Sequence, residues 1–154
     1  MRIALFIPCF VDQLAPEVGL ATASVLERLG QEVAYPPEQT CCGQPAWNAG
    51  HAHDAKALAR RQLGVLGASD PDAIVAPSGS CVAALHQMLE TESDIDASLV
   101  ARTYELSQFL VDQLGIEDVG ASGRGRVAFH DACHPLRDLS IREQPRRLLA
   151  QVRG

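Results

Sequence analysis

Four cysteines in three separate clusters are the residues of this chain best suited to chemistry. Cys41 and Cys42 are adjacent and are followed by Gly43. Cys9 lies upstream at the end of an apolar run, and Cys81 lies downstream. Adjacent thiols are difficult to place in a fold for packing alone, whereas thiolates bind metals and act as redox groups. The pattern therefore predicts a metal or redox site, provided that the fold brings the three clusters together.

The elements that must position these thiols are short strands that alternate with helices. Apolar runs bounded by turn residues predict strands at 2–8, 31–35, 73–76 and 126–129. Helical periodicity predicts helices at 16–30, 49–67, 80–90, 104–114 and 145–152, with a polar loop or helix cap at 91–98. This alternation predicts an α/β fold, a Rossmann-like open parallel sheet with helices on both faces.

The order of these elements brings the thiols to one edge of the sheet. Ligands of open parallel sheets bind beyond the carboxyl ends of the strands. Cys9 follows the first predicted strand, the Cys41–Cys42 pair follows the second, and Cys81 follows the third. We therefore expect all four sulfur atoms at the carboxyl ends of three neighbouring strands.

Composition narrows the class of protein. The chain has 154 residues, of which 47% are hydrophobic and 21% charged, which is typical of one globular domain. A net charge of -6 argues against nucleic-acid and anionic-membrane partners. The apolar run 3–8 is too short for a membrane span or a signal peptide. We expect a cytoplasmic protein, in which five cysteines indicate metal ligands or reactive thiols more than disulfides.

A short sequence pattern at the beginning of the chain recurs near its other end. Cys9 follows Arg2 by seven residues, and Cys133 follows Arg126 by the same distance, each after a similar apolar run. We interpret this as a duplicated unit, and expect either a longer two-repeat protein with another Cys-Cys-Gly beyond Gly154 or one that has lost its second half. The predicted divisions are a first repeat at 1–119, a connector at 120–125 and the start of a second, truncated repeat at 126–154.

Three motifs resemble the cysteine-rich CCG domain. They are Thr-Cys-Cys-Gly-Gln-Pro-Ala at 40–46, Pro-Ser-Gly-Ser-Cys at 77–81 and His-Asp-Ala-Cys-His at 130–134. That family includes the cysteine-rich component of heterodisulfide reductase, the iron–sulfur subunit of glycolate oxidase and lactate-utilisation protein A. The motifs most resemble the lactate-utilisation branch, and the resemblance covers essentially the whole chain.

The resemblance implies a ligand set. It implies one cluster held by four thiolates, those of Cys9, Cys41, Cys42 and Cys81. It also implies that Cys133 opens a second, incomplete site. Ser78 occupies the first position of the Cys-x-x-Cys found in the reductase branch, so a five-thiolate cluster and its disulfide-cleaving chemistry are not expected. Four thiolates suffice for a 4Fe–4S cluster or, alternatively, for tetrahedral zinc.

The function that this resemblance implies is electron transfer. We expect an iron–sulfur subunit of a complex that oxidises a 2-hydroxy acid, lactate or glycolate, with partner redox subunits that carry further clusters or a flavin. No residue has a pattern suited to hydride removal, so no catalytic residue is predicted. Two alternatives remain: a zinc-binding or metal-free interaction module without redox activity, and a thiol–disulfide oxidoreductase that uses Cys41, Cys42 and Cys81.

Several neighbouring residues have plainer interpretations. Ser78, Gly79 and Ser80 are predicted to cap the helix that begins there rather than to react. Trp47 is predicted either to shield the site from water or to pack in the core. His130 and His134 flank Cys133 and are interpreted as residues that shield or hydrogen-bond a second site.

Overall fold

A computed structural model describes residues 1–89 and 96–154. Within them, four parallel strands form one sheet in the order β2-β1-β3-β4. The strands are β1 (Arg2–Leu5), β2 (Glu32–Ala34), β3 (Ala73–Ala76) and β4 (Thr103–Glu105). The helices are α1 (Cys9–Leu14), α2 (Pro16–Arg28), α3 (Gln44–Asn48), α4 (Ala52–Gly67), α5 (Gly79–Leu89), α6 (Ala97–Ala101), α7 (Leu106–Gln108), its π-helical continuation (Phe109–Gln113), α8 (Cys133–Asp138) and α9 (Glu143–Ala150).

Successive side chains of β1 and β3 point to opposite faces of the sheet, and both faces are buried. One face packs against α2 and the π-helical stretch, and the other against α4 and α5. Each fully buried large side chain contributes roughly 1.5–3 kcal/mol relative to an exposed one. The predicted Rossmann-like sheet with helices on both faces is confirmed. The side chains on the face that packs against α2 and the π-helical stretch are Ile3, Leu5, Ala73 and Val75. Those on the opposite face are Ala4, Phe6, Ile74 and Ala76.

The prediction of a strand at 126–129 is wrong. Those residues lie outside regular secondary structure, and the side chains of Val127 and Phe129 are 78% and 46% exposed. The fourth strand is instead β4, which pairs with β3 through the register Ile74↔Thr103 and Ala76↔Glu105. The helix that was predicted at 104–114 therefore begins two residues later, at Leu106, because Tyr104 and Glu105 belong to β4.

Other boundaries differ in smaller ways. Three short helices, α1, α3 and α8, occupy segments that were not predicted as helical. The predicted end of the third helix at Glu90 and most of the loop at 91–98 lie outside the described residues. No helix in the described part of the chain is both long enough and apolar enough to cross a membrane.

Residues 126–154 pack back onto the sheet domain. Pro135 of α8 lies against the first residue of α5, Gly79, where an added Cβ would be 2.5 Å from Pro135 Cγ. Arg146 holds the segment together, since its guanidinium donates to both oxygens of Asp131 at 2.8 and 2.7 Å and covers the ring of Phe129 at 5.5 Å. The division into a first repeat, a connector and a second repeat stays a prediction.

Candidate metal centre

Cys9 is placed where β1 leaves the sheet. The strand continues as a short extended segment to Pro8, and Cys9 is the first residue of α1. Its side chain is exposed, and its thiol donates a hydrogen bond to Cys41 with 3.6 Å between the two Sγ atoms. Two thiols that are 32 residues apart in sequence therefore meet at the carboxyl edge of the sheet.

Two glutamine side chains hold the loop that carries Cys41. The amide of Gln39 accepts from Ile7 N at 2.9 Å and donates to Leu5 O at 2.8 Å, which extends the hydrogen bonding of β1. The fully buried Gln62 of α4 accepts from both the backbone N–H and the hydroxyl of Thr40. The two residues that directly precede the adjacent thiols, Gln39 and Thr40, are thus hydrogen-bonded to the β1 segment and to α4.

Sequence reasoning missed both glutamines. A signal for Gln62 was present, because Ala55, Ala59 and Leu66 place it on the buried stripe of α4. A polar residue on an apolar stripe must find a hydrogen-bond partner, and backbone groups of a loop are its usual partners. For Gln39 the sequence offers no comparable signal.

Gly43 allows the loop to turn tightly after the adjacent thiols. It adopts φ +89°, in the left-handed region that favours glycine, and an added Cβ would lie 2.4 Å from Ala55 O. Its backbone N–H points to Cys41 Sγ at 3.4 Å. This N–H therefore donates a hydrogen bond to the sulfur of Cys41.

Cys42 and Cys81 form a second, buried pair. Their side chains are 2% and 4% exposed and are hydrogen-bonded to each other. The hydrogen bond from Cys42, followed by those from Ser78 and Ser80, lowers the pKa of Cys81 to about 7, although burial opposes this shift. The same bond, together with burial, raises the pKa of Cys42 well above its usual range. The directions of the two shifts make Cys81 the thiol of the pair that ionises first, while Cys42 keeps its proton and donates a hydrogen bond to Cys81.

Cys81 is in the first turn of α5, as its sequence position predicted. Ser78 precedes the helix, and its carbonyl accepts from Val82 N at 3.2 Å. Gly79 and Ser80 belong to the helix itself. The hydroxyls of the two serines lie 3.4 Å apart, and both hydrogen-bond to the sulfur of Cys81. A helix N-terminus also favours a thiolate at this position.

The two pairs of thiols are neighbours. The pKa of Cys9 is raised above its ordinary value. The largest cause is the partial burial of the thiol, the next is its hydrogen bond with Cys41, and the nearby charge of Cys81 adds a smaller effect. Because Cys41 and Cys42 are consecutive residues, a single peptide bond links the Cys9–Cys41 pair to the Cys42–Cys81 pair. As the side chains stand, no three His, Cys, Asp or Glu residues within 1–89 and 96–154 are grouped closely enough to hold a metal ion.

The donor set nevertheless fits a thiolate-bound centre. All five cysteines are free thiols, and four of them lie at one edge of the sheet. Cys81 receives hydrogen bonds from Ser78 and Ser80 in the first turn of a helix, which favours the thiolate form that binds metal. Four sulfur donors match the usual ligand number of both 4Fe–4S clusters and structural zinc.

The remaining predicted residues lie around this edge. Trp47 is half-buried and packs against the core beside the thiols, which agrees with both of its interpretations. Cys133 is exposed at the first position of α8, and His134 pairs with Asp138 at 2.7 Å. His130 is exposed. The incomplete second site stays a prediction.

A cavity of about 400 Å³ lies on another side of β1. Among the described residues, its lining is apolar apart from Asp12 and includes Ile7, Leu20 and Tyr35, and none of the lining residues carries a thiol. The chemistry of the cysteines is thus at the open edge of the sheet and separate from this cavity.

Comparisons with known proteins agree with the cysteine pattern. The family profile described as CCG, Cysteine-rich domain, matches residues 3–86, more than half of the chain. The whole chain aligns with lactate utilization protein A from Geobacillus kaustophilus (strain HTA426) and Geobacillus thermodenitrificans (strain NG80-2) at 45% identity, and from Bacillus subtilis (strain 168) at 41%. In each case the chain spans 66% of the relative's length.

Proposed function

Because the chain belongs to the family of CCG cysteine-rich domain proteins, we propose that it is an iron–sulfur electron-transfer component of a lactate-utilisation system. The observation that supports this proposal is two pairs of contacting thiols, Cys9 with Cys41 and Cys42 with Cys81, beyond the carboxyl ends of three parallel strands. The names of the relatives support the choice of lactate as the 2-hydroxy acid. Glycolate is the second choice, since the family resemblance also includes a glycolate oxidase subunit.

The four thiols would hold a 4Fe–4S cluster, which when bound accepts and releases one electron at a time. The chain's own residues tune the thiolates. Gly43 N–H donates to the sulfur of Cys41, and the hydroxyls of Ser78 and Ser80 donate to the sulfur of Cys81. Hydrogen bonds to ligating sulfurs disperse their negative charge and help to set the reduction potential.

Within the described residues, the candidate site has no group that removes a hydride, and this implies that the protein works with other redox proteins. Thiolate chemistry does not remove a hydride from a 2-hydroxy acid, so this step belongs to another protein of the complex, one with a flavin or further clusters. Exposed Cys9 marks the side of the site from which electrons enter or leave, because the second pair is buried. We place the complex in the cytoplasm.

The test is metal analysis of oxygen-free protein. Wild type reconstituted with iron and sulfide should be brown and contain about four iron and about four sulfide per chain. Cys42→Ser should lose most of both, while the matched control Cys133→Ser should keep them, because Cys133 is outside the ligand set. Wild-type protein that stays colourless and free of iron after reconstitution would refute the proposal.

One distance favours zinc as a second candidate. Two thiolates on one tetrahedral zinc ion lie about 3.8 Å apart, from a Zn–S bond of about 2.3 Å. The observed separation of Cys9 and Cys41 is 3.6 Å. A zinc-stabilised interaction module would contain one zinc per chain in both aerobic and oxygen-free preparations. Iron that replaces this zinc only in oxygen-free protein would favour the cluster.

A further inference from the structure

We propose that Cys9 and Cys41 form a reversible disulfide while no metal is bound, which makes this pair a redox-modification site that controls metal loading. The control of loading rests on the proposed function, whereas the disulfide itself does not. The observation behind the proposal is the contact between the two thiols at the surface of the site, where Cys9 is exposed.

The geometry needs only a small movement. The two Sγ atoms are 3.6 Å apart, and a disulfide brings sulfurs to about 2.05 Å. Cys9 is the first residue of a six-residue helix, and Cys41 lies in a loop outside regular secondary structure. An approach of about 1.5 Å between the sulfurs can therefore come from side-chain rotation and loop adjustment, without loss of a strand or a long helix.

Exposure to solvent distinguishes the Cys9–Cys41 pair from the other possible disulfide pairs. Cys42 and Cys81 are in contact with each other, but both are almost fully buried, so an oxidant in solution does not reach them. A disulfide between the adjacent residues Cys41 and Cys42 is strained, because their Cβ atoms cannot adopt the usual geometry without backbone distortion. Cys9 is exposed and Cys41 is half-buried, so Cys9 is reached first.

The reaction is thiol–disulfide exchange with a low-molecular-weight disulfide such as glutathione disulfide. The thiol of Cys9 first loses its proton to water, and the resulting thiolate attacks one sulfur of the reagent, forms a mixed disulfide and releases one glutathione thiolate. The thiolate of Cys41 then attacks the sulfur of Cys9 and releases the second glutathione. Two protein thiols are oxidised and lose two protons, and one glutathione disulfide is reduced to two thiols.

The consequence for the site is a reversible block. The disulfide removes two of the four sulfur donors, and the two that remain are buried. Metal loading then requires prior reduction by a dithiol. A bound metal has the opposite effect, since it occupies both sulfurs and protects them from oxidation.

The experiment uses the metal-free, reduced chain and glutathione disulfide. Mass spectrometry of the unmutated protein, cleaved without reduction and fragmented between Cys41 and Cys42, should find a link from Cys9 to Cys41. In a Cys133→Ser background, which removes the other exposed thiol, titration should show the loss of two thiols and no bound glutathione. Cys41→Ser in the same background should instead keep one glutathione on Cys9, because the second thiol is missing.

Three results would overturn the proposal. They are glutathione that stays on Cys9 when Cys41 is present, a link between Cys41 and Cys42, and full zinc uptake by the disulfide-linked protein. The expected result for uptake is no zinc before, and full zinc after, treatment with dithiothreitol. If the reduced chain binds neither zinc nor a cluster while the link forms, the proposed function fails and the disulfide stands.

Discussion

Gly43 lies so close to Ala55 that a Cβ on the glycine would be 2.4 Å from the carbonyl oxygen of Ala55. This contact joins the loop of the adjacent thiols to the first turn of α4. Because the contact is between backbones, a side chain at position 43 cannot be accommodated by rotation of a neighbour. The close approach of the thiol loop to α4 therefore requires a glycine at position 43.

Gly43→Ala should destabilise the protein more than Gly50→Ala. The two glycines have nearly the same φ, +89° and +86°, but nothing lies within 4 Å of a Cβ built on Gly50. The backbone conformation alone should cost about 1–2 kcal/mol in each variant, and the clash should add about 1–3 kcal/mol at Gly43. Chemical denaturation of the metal-free chains measures both values. Equal losses in the two variants would show that the close contact is absent.

The stability of the metal-free chain should rise with pH between 7 and 9. Over this range the folded chain binds fewer protons at Cys81 than the unfolded chain, because the folded pKa is about 7 and the ordinary value is 9.0. Each pKa unit corresponds to at most about 1.4 kcal/mol. Above 9.0 the raised pKa of Cys42 acts in the opposite direction, so the gain should not continue.

Urea unfolding at a series of pH values measures this dependence. Cys81→Ala should flatten the rise between pH 7 and 9, while Cys133→Ala should leave it in place because Cys133 is exposed and outside the pair. A slope that is unchanged in Cys81→Ala would exclude a depressed pKa at this thiol.

The effect of Gly79→Ala should depend on Pro135. An added Cβ at Gly79 would lie 2.5 Å from Pro135 Cγ and 3.0 Å from Pro135 Cβ. Pro135→Ala removes the closer of these atoms, so Gly79→Ala should cost less in that background. A double-mutant cycle on the free energy of unfolding should give a coupling of about 0.5–3 kcal/mol. Strictly additive losses would show that α8 does not pack on the start of α5.

The sheet was predictable only where burial leaves a local signal. β1 and β3 are buried on both faces and therefore read as continuous apolar runs. β4 has no such run, and its residues overlap the helical periodicity that continues to Leu114, so only pairing with β3 reveals it. The opposite error occurred at 126–129, where an apolar pattern without a partner strand stays exposed.

The candidate metal site, like the sheet, could be predicted only in part from the sequence. Parallel topology was enough to predict that Cys9, Cys41, Cys42 and Cys81 come to one edge, because each follows a strand. Which thiols pair depends on loop contacts between distant parts of the chain, such as Gln62 with Thr40. The buried Cys42–Cys81 pair and the exposed Cys9–Cys41 pair could therefore not be inferred from spacing.

The most direct test of a shared metal centre is alkylation of Cys9 and Cys133 with iodoacetamide in metal-loaded and metal-free protein. Both thiols are exposed, so both should be labelled rapidly in metal-free protein under reducing conditions. In the oxygen-free, iron–sulfur-loaded protein, Cys9 should be protected and Cys133 should still be labelled, as read by mass spectrometry of each peptide. Labelling of Cys9 at the same rate as Cys133 in the loaded protein would contradict the account.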